Sequence, residues 1–251
     1  MFVTAVIPAR LGSTRLPRKV LADIHDRPLL WYVWQQVRKA RRIDELFVAT
    51  DAEEVRQAVE GWGGQVLMTS PECRSGTQRI ASVLDQLRGD FILNVQGDEP
   101  FTDPAMLDAL VERWDPVSSP LVTAVYRIAG EPELRNPNIV KVVRAQDGTA
   151  LYFSRSPVPF VRDLAPAQWL QHPVFWGHIG VYGFGRDVLA AYPQLPDSRL
   201  ESAECLEQLR LLEAGYRFQT VETNYRPIAV DTADDLEHVR RRIASGSSGC
   251  P

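Results

Sequence analysis

Arg10, Arg15, Arg18 and Lys19 crowd around Gly12, Ser13 and Thr14, directly after the apolar run FVTAVI at residues 2–7. Fixed cations, hydroxyls and a glycine at the exit of a buried strand are the groups that hold phosphates. The charges offset a polyanion, amides and hydroxyls donate to its oxygens, and a glycine admits close backbone approach. The spacing is not that of a P-loop, because Pro17 and Arg18 stand where a second glycine would precede the lysine. Two carboxylates are candidates for a phosphate-bound divalent cation. Asp98 follows FILNVQ between Gly97, which adds no side-chain bulk, and Glu99, while Asp231 follows IAV. Mg²⁺ takes one or two carboxylates together with phosphate oxygens, a role that two strand-end aspartates suit. Each has another reading, as a turn or capping residue, and either Asp231 or Thr232 is a good N-cap for the helix opened by DTADDLE.

Further polar groups sit among apolar ones. In RSGTQR (74–79), Ser75, Gly76 and Thr77 stand at a helix start, where backbone groups and hydroxyls read the edge of a base or sugar, or simply cap the helix. In YFSR (152–155), Arg155 is suited to bidentate pairing with a substrate carboxylate. Taken alone, His178 of HIGVY reads as a core or interface histidine, and Glu207 as a solvated helix position. No Ser-His-Asp set, partnered cysteine nucleophile or zinc spacing is present in the sequence.

These residues need elements to position them. The first half alternates strand and helix: strands over 2–7 (stopped by Pro8), 45–50, 65–68 and 91–95, with helices from Pro28, over 52–60 (capped by Asp51) and from after Thr77 to Leu87. That alternation gives βαβ units and a mostly parallel sheet, whose ligands bind at the carboxyl ends of the strands, where all these loops lie. The second half reads as strands over 121–128, 139–144, 149–154 and 177–184, with Asp147-Gly148 as a hairpin turn. It is expected to form an antiparallel insertion, about 120–185, that widens the site or makes a dimer. A helix over 199–214, a strand over 228–230 and a last helix complete a single domain, 1–245, before a flexible tail at 246–251.

The 251 residues suffice for one large α/β domain with an elaboration or for two small domains, and 45% hydrophobic with 24% charged residues is the balance of a globular protein. A net charge of -4 argues against a general nucleic-acid binder, so the basic loop is a local feature suited to a small phosphorylated ligand. Cys73, Cys205 and Cys250 make no disulfide framework. Without a signal pattern or an apolar run long enough for a membrane, the expected location is the cytoplasm.

The motifs IPARLGSTRLPRK, SGTQR, NVQGDEP, NPNIVKVV, ALYFSRSPVP, HIGVYGF, LEQLR and VDTADDLE, in that order from Val3 to about Arg241, closely resemble the 3-deoxy-manno-octulosonate cytidylyltransferases. The resemblance implies a Rossmann-like, glycosyltransferase-A-like nucleotidyltransferase fold. It also implies Mg²⁺-dependent transfer of CMP from CTP to the anomeric 2-hydroxyl of 3-deoxy-D-manno-octulosonate, releasing pyrophosphate, for lipopolysaccharide sugar activation. Arg10, Arg15 and Lys19 would hold the triphosphate, with Gly12 and Ser13 of the same loop, and Lys19 would sit near the developing charge. Ser75, Gly76, Thr77, Gln96 and Gly97 would surround the nucleotide, and Asp98 and Asp231 would bind the metal. Arg155, His178, Tyr182, Glu207 and Gln208 would form the sugar-acid pocket. Homodimers are common in the family. It usually has glycine where this chain has Arg18. The rival readings are another acceptor, such as 8-amino-octulosonate, sialic acid, or a phosphorylated sugar or polyol, and a catalytically silent nucleotide binder. The silent binder's signature would be loss of Lys19, Asp98 or Asp231, and all three are present.

Overall fold

The computed structural model describes residues 1–12, 15–172 and 174–245. Ser13 and the 246–251 tail therefore lie outside the described residues. Strand β1 (Val3–Ala9) leads to a small hairpin, β2 (Asp23–Ile24) and β3 (Arg27–Pro28), and to helix α1 (Leu29–Val37). Then come β4 (Glu45–Thr50), α2 (Glu53–Gly61), β5 (Gln65–Met68), α3 (Gly76–Ala81), β6 (Phe91–Asn94) and α4 (Pro104–Arg113). The second half supplies β7 (Leu121–Arg127), α5 (Glu131–Arg135), β8 (Lys141–Arg144), β9 (Ala150–Ser154) and β10 (Trp176–Gly185). It ends with α6 (Arg186–Ala191), α7 (Arg199–Glu204), α8 (Gln208–Glu213), β11 (Phe218–Glu222) and α9 (Ala233–Ala244).

One sheet runs β11-β7-β10-β6-β1-β4-β5. The pairs β1–β4, β1–β6, β4–β5 and β7–β11 are parallel, whereas β10 runs antiparallel to both β6 and β7. In this row every strand but β10 therefore points its carboxyl end to the same edge. The antiparallel stretch is not a separate sheet: β7 and β10 belong to the main one, and β8 with β9 extends it as a hairpin from β10. Side chains alternate across β1, with Ala5 and Ile7 in one core and Val6 in the other. Leu30, Val33, Trp34 and Val37 of α1 and Met106, Leu107 and Leu110 of α4 cover the first face. Ile80 of α3, Leu189 of α6 and Leu209 of α8 cover the second. A third, smaller cluster of Ile24, Leu29, Val230, Leu236 and Val239 holds α9 against the β2–β3 hairpin.

Several boundaries differ from expectation, for local reasons. Pro8 lies inside β1. Val6 accepts from the Val95 N–H (3.0 Å), so Pro8, two residues on, faces the same way but beyond the end of β6, and its missing donor costs no ladder bond. Asp51 does not cap α2; the N-cap is Ala52, without a side-chain bond, and Asp51 pairs instead with Arg79 (3.5 Å). The helix expected to run to residue 87 stops at Ala81 and resumes as a 3₁₀ turn, Leu84–Gln86. The single helix expected over 199–214 breaks at Cys205, which adopts left-handed geometry (φ 52°). Residues 228–230 form no strand, and among the described residues the last strand is β11.

Candidate active site

Because β1 and β6 pair in register, Val6 opposite Asn94, the loops that follow them open side by side on the carboxyl edge. Two glycines let the neighbouring segments close on the exit of β1. A Cβ on Gly97 would lie 3.1 Å from Pro8 O, and one on Gly76 would lie 3.0 Å from Pro8 Cγ. Gly12 differs, since a Cβ there would meet nothing within 4 Å; the chain's own packing does not demand glycine at that position. The last loop reaches the same point, where the Val230 N–H donates to Asp98 O (3.0 Å). Capping of α9 is done by Thr232, whose Oγ1 accepts from the Asp235 N–H (3.2 Å) while the Asp235 carboxylate accepts from the Thr232 and Asp231 N–H groups. That arrangement leaves the Asp231 carboxylate free for the cleft.

Lys19 Nζ sits between the two aspartates, donating to Asp98 Oδ2 (2.6 Å) and Asp231 Oδ1 (3.0 Å). Arg15 pairs with the same Asp231 oxygen (3.0 Å). Burial alone would lower the Lys19 pKa, but the charges and hydrogen bonds of Asp98 and Asp231 outweigh it and hold the ammonium above its ordinary value. Two carboxylates that share one ammonium are close enough to share another cation, and hard oxygen donors suit Mg²⁺ with phosphate oxygens completing its shell. Among the described residues no group of three or more His, Cys, Asp or Glu gathers into a complete metal cage.

Two clefts meet at this node. The first, about 270 Å³, is lined by Arg10, Gly12, Arg15, Lys19, Ser75, Gly76, Gln96, Gly97, Asp98 and Asp231, which brings together most of the residues expected around the nucleotide. Thr77 is not on its wall. It is buried, its Oγ1 accepts from Asn94 Nδ2 (3.3 Å), and its N–H donates to Glu207 Oε2 (3.1 Å). The second cleft, about 560 Å³, shares Arg15, Gln96, Asp98 and Asp231 with the first and is lined by His178, Tyr182 and Gln208. Arg155 and Glu207 are not on its wall: Glu207 packs on the first turn of α3, and the Arg155 guanidinium donates to the carbonyls of Pro137, Glu204 and Cys205.

The second cleft is buried and polar at its base. Tyr182 Oη donates to Gln208 Oε1 (3.0 Å), and burial keeps the phenol well above its usual pKa. Gln208 Nε2 and Glu99 Oε2 are buried and have no hydrogen-bond partner. Burial, then the charges of Asp98 and Asp231, push Glu99 up to about 8. His178 Nε2 lies 2.9 Å from Thr123 Oγ1, whose own proton goes to Val181 O (2.8 Å). We therefore assign the Nε2–H tautomer, and burial depresses the imidazole to about 3. Sequence reasoning gave no role to Glu99 or to Arg79, which is buried and lines the first cleft beside Asp51. In the sequence Glu99 is visible only as a second acid beside Asp98, and nothing there shows that it is buried.

The profile of a family described as Cytidylyltransferase matches residues 4–221. A 3-deoxy-manno-octulosonate cytidylyltransferase from Geobacter sulfurreducens is 43% identical over 97% of this chain and all of its own length. One from Chlorobium limicola is 44% identical over 97% of this chain and 98% of its own. Among solved structures, a CMP:2-keto-3-deoxy-manno-octonic acid synthetase complexed with CTP superposes with a TM-score of 0.90 at 39% identity, covering 98% of this chain and all of that one.

Proposed function

The chain belongs to the cytidylyltransferase family, and on that premise we propose that it transfers CMP from CTP to the anomeric 2-hydroxyl of 3-deoxy-D-manno-octulosonate. The observation that carries this reading is the meeting of two clefts at the Lys19–Asp98–Asp231 node. CTP occupies the smaller cleft, its phosphates facing Arg10, Arg15 and Lys19. The sugar acid occupies the larger, where the unpartnered Gln208 Nε2 and Glu99 Oε2 call for a polar ligand. The hydroxyl oxygen attacks the α-phosphorus, pyrophosphate leaves with the bonding electron pair, and the hydroxyl proton is released. Such in-line displacement needs positioning and charge neutralisation rather than a covalent intermediate. Lys19, held protonated between two carboxylates, is a cation that can turn to the triphosphate. Asp98 and Asp231 would hold Mg²⁺, which supplies charge neutralisation on the phosphate oxygens when bound.

The same reading makes the protein a cytoplasmic homodimer. In its support, Leu151 and Phe160, 58% and 75% exposed, present apolar surface within the stretch expected at a dimer contact. No described helix is long and apolar enough to cross a membrane.

Pyrophosphate release from CTP, with and without the octulosonate and Mg²⁺, tests the proposal. Release that requires both and falls when UTP replaces CTP is expected. Release only with a sialic acid or another ulosonic acid would reassign the acceptor, and none with any acceptor would leave a silent nucleotide binder.

A further inference from the structure

Lys141 opens β8 and is fully buried (0% exposed) outside both clefts. A lysine is almost never buried so completely unless its ammonium is fully engaged. Here Nζ donates to the carbonyls of Asn136 (2.9 Å) and Ile139 (2.6 Å). Between those two, Pro137 O accepts from Arg155 Nη1 (2.9 Å). Two cations thus tie down the carbonyls of the irregular segment 136–140, and Asn136, Asn138 and Ile139 of that segment wall the larger cleft. The tie continues to another wall. Arg155 Nε donates to Glu204 O (2.7 Å), and the Glu204 carboxylate accepts from Ser154 Oγ (2.6 Å) and the Arg155 N–H (2.9 Å). That knot sits at the break between α7 and α8, which sends Leu206 and Gln208 into the same cleft.

We propose that Lys141 is a positioning residue for the acceptor: its ammonium fixes segment 136–140 and, with Arg155, sets the distance between two walls of the sugar-acid cleft. The inference rests on the reading that the acceptor occupies that cleft. An apolar residue would pack in the same volume, but it would leave the Ile139 carbonyl without the ammonium and the Asn136 carbonyl with only the Ile139 N–H (3.1 Å), loosening the segment. Burial and the nearby Arg155 bring the Lys141 pKa down to about 8, against the opposing charge of Glu204. The tie is therefore expected to slacken in mild alkali.

Lys141→Met keeps the length of the side chain and removes its donors. The expected result is an acceptor KM raised about tenfold or more, with the CTP KM changed by less than about twofold. Amide exchange over 136–140, measured on the free protein, should quicken while that of β1 and β6 stays slow. An equal rise in both KM values, an unchanged acceptor KM, or unchanged exchange in a folded variant would overturn the proposal. Should the variant fail to fold, Lys141→Gln, which keeps one amide donor in the same place, decides: its acceptor KM should rise with the CTP KM unchanged, and an unchanged acceptor KM overturns the assignment. The exchange measurement needs no substrate. An enzyme that does not use the octulosonate at all would undo the functional reading while leaving the role of Lys141 still decided.

Discussion

At Lys19 the chain sets one ammonium between two carboxylates from sequence positions 79 and 212 residues away. Asp98→Asn removes one carboxylate charge from that node, and turnover should fall by on the order of 10³-fold. Because Asp98 is partly exposed at a loop, the unfolding midpoint should move little; a variant that still turns over CTP normally would remove Asp98 from the metal site. Arg18, where the family resemblance leads one to expect glycine, has φ 58°, in the left-handed region that costs a side-chain-bearing residue about 1–2 kcal/mol. Its compensation, an exposed pair with Glu54, contributes little. Urea unfolding should therefore find Arg18→Gly within about 0.5 kcal/mol of the parent and Arg18→Val less stable by about 1–2 kcal/mol. His178, buried neutral, carries a pH signature. Between pH 6.5 and about 3 the unfolded chain takes up a proton that the folded chain refuses, so stability falls as pH drops through that window. The slope contributed is at most about 1.4 kcal/mol per pH unit, and His178→Gln should flatten it in acid unfolding curves. The phosphate loop and both aspartates were legible because short, dense motifs carry their chemistry. Lys141, Arg79 and Glu99 were not, since burial and distant partners give them their roles, and neither is written in local sequence.

At the scale of elements, β10 couples the two clefts. His178 and Tyr182 lie on it, Tyr182 pairs with Asn94 at the end of β6, and Asp98 stands four residues beyond Asn94. A register irregularity between Ile179 and Tyr182 brings Gly180 against Gln96, where a Cβ would lie 3.3 Å from Gln96 Cγ. The alternating first half was readable from its periodicity. Strand β11 was missed because FQTVE carries two buried polar residues, Gln219 and Thr220, whose side chains donate to the carbonyls of Asp147 and Gly148 in the turn between β8 and β9. Residues 228–230 resemble a strand because Val230 is buried, but its burial serves the small cluster under α9. The break in the 199–214 helix carries no glycine or proline to announce it. That cluster also supports Asp231. Leu236→Ala should cost about 2–3 kcal/mol in stability and, by loosening the start of α9, raise the Mg²⁺ concentration needed for half-maximal rate. A variant that loses stability with an unaltered Mg²⁺ dependence would separate α9 from the site.

For the whole molecule, the sheet sets one binding edge, and the second half of the chain serves both as its continuation and as the expected contact surface between copies. Phe160→Glu should shift the sedimentation of the protein toward a single chain at micromolar concentration; an unshifted boundary would place the contact elsewhere. The loop that brings Asp231 to Asp98 lies far along the chain from β6, tied there by the Val230–Asp98 main-chain bond and the buried side chains of Val230, Leu236 and Val239. Arg10, Arg15, Lys19, Gln96 and Asp98 all precede Asp231 in the sequence, so the second carboxylate is the last of these groups to leave a ribosome. A polypeptide stalled before residue 231 is therefore expected to hold the cations for the donor's phosphates without the second carboxylate, and so to leave the donor unspent.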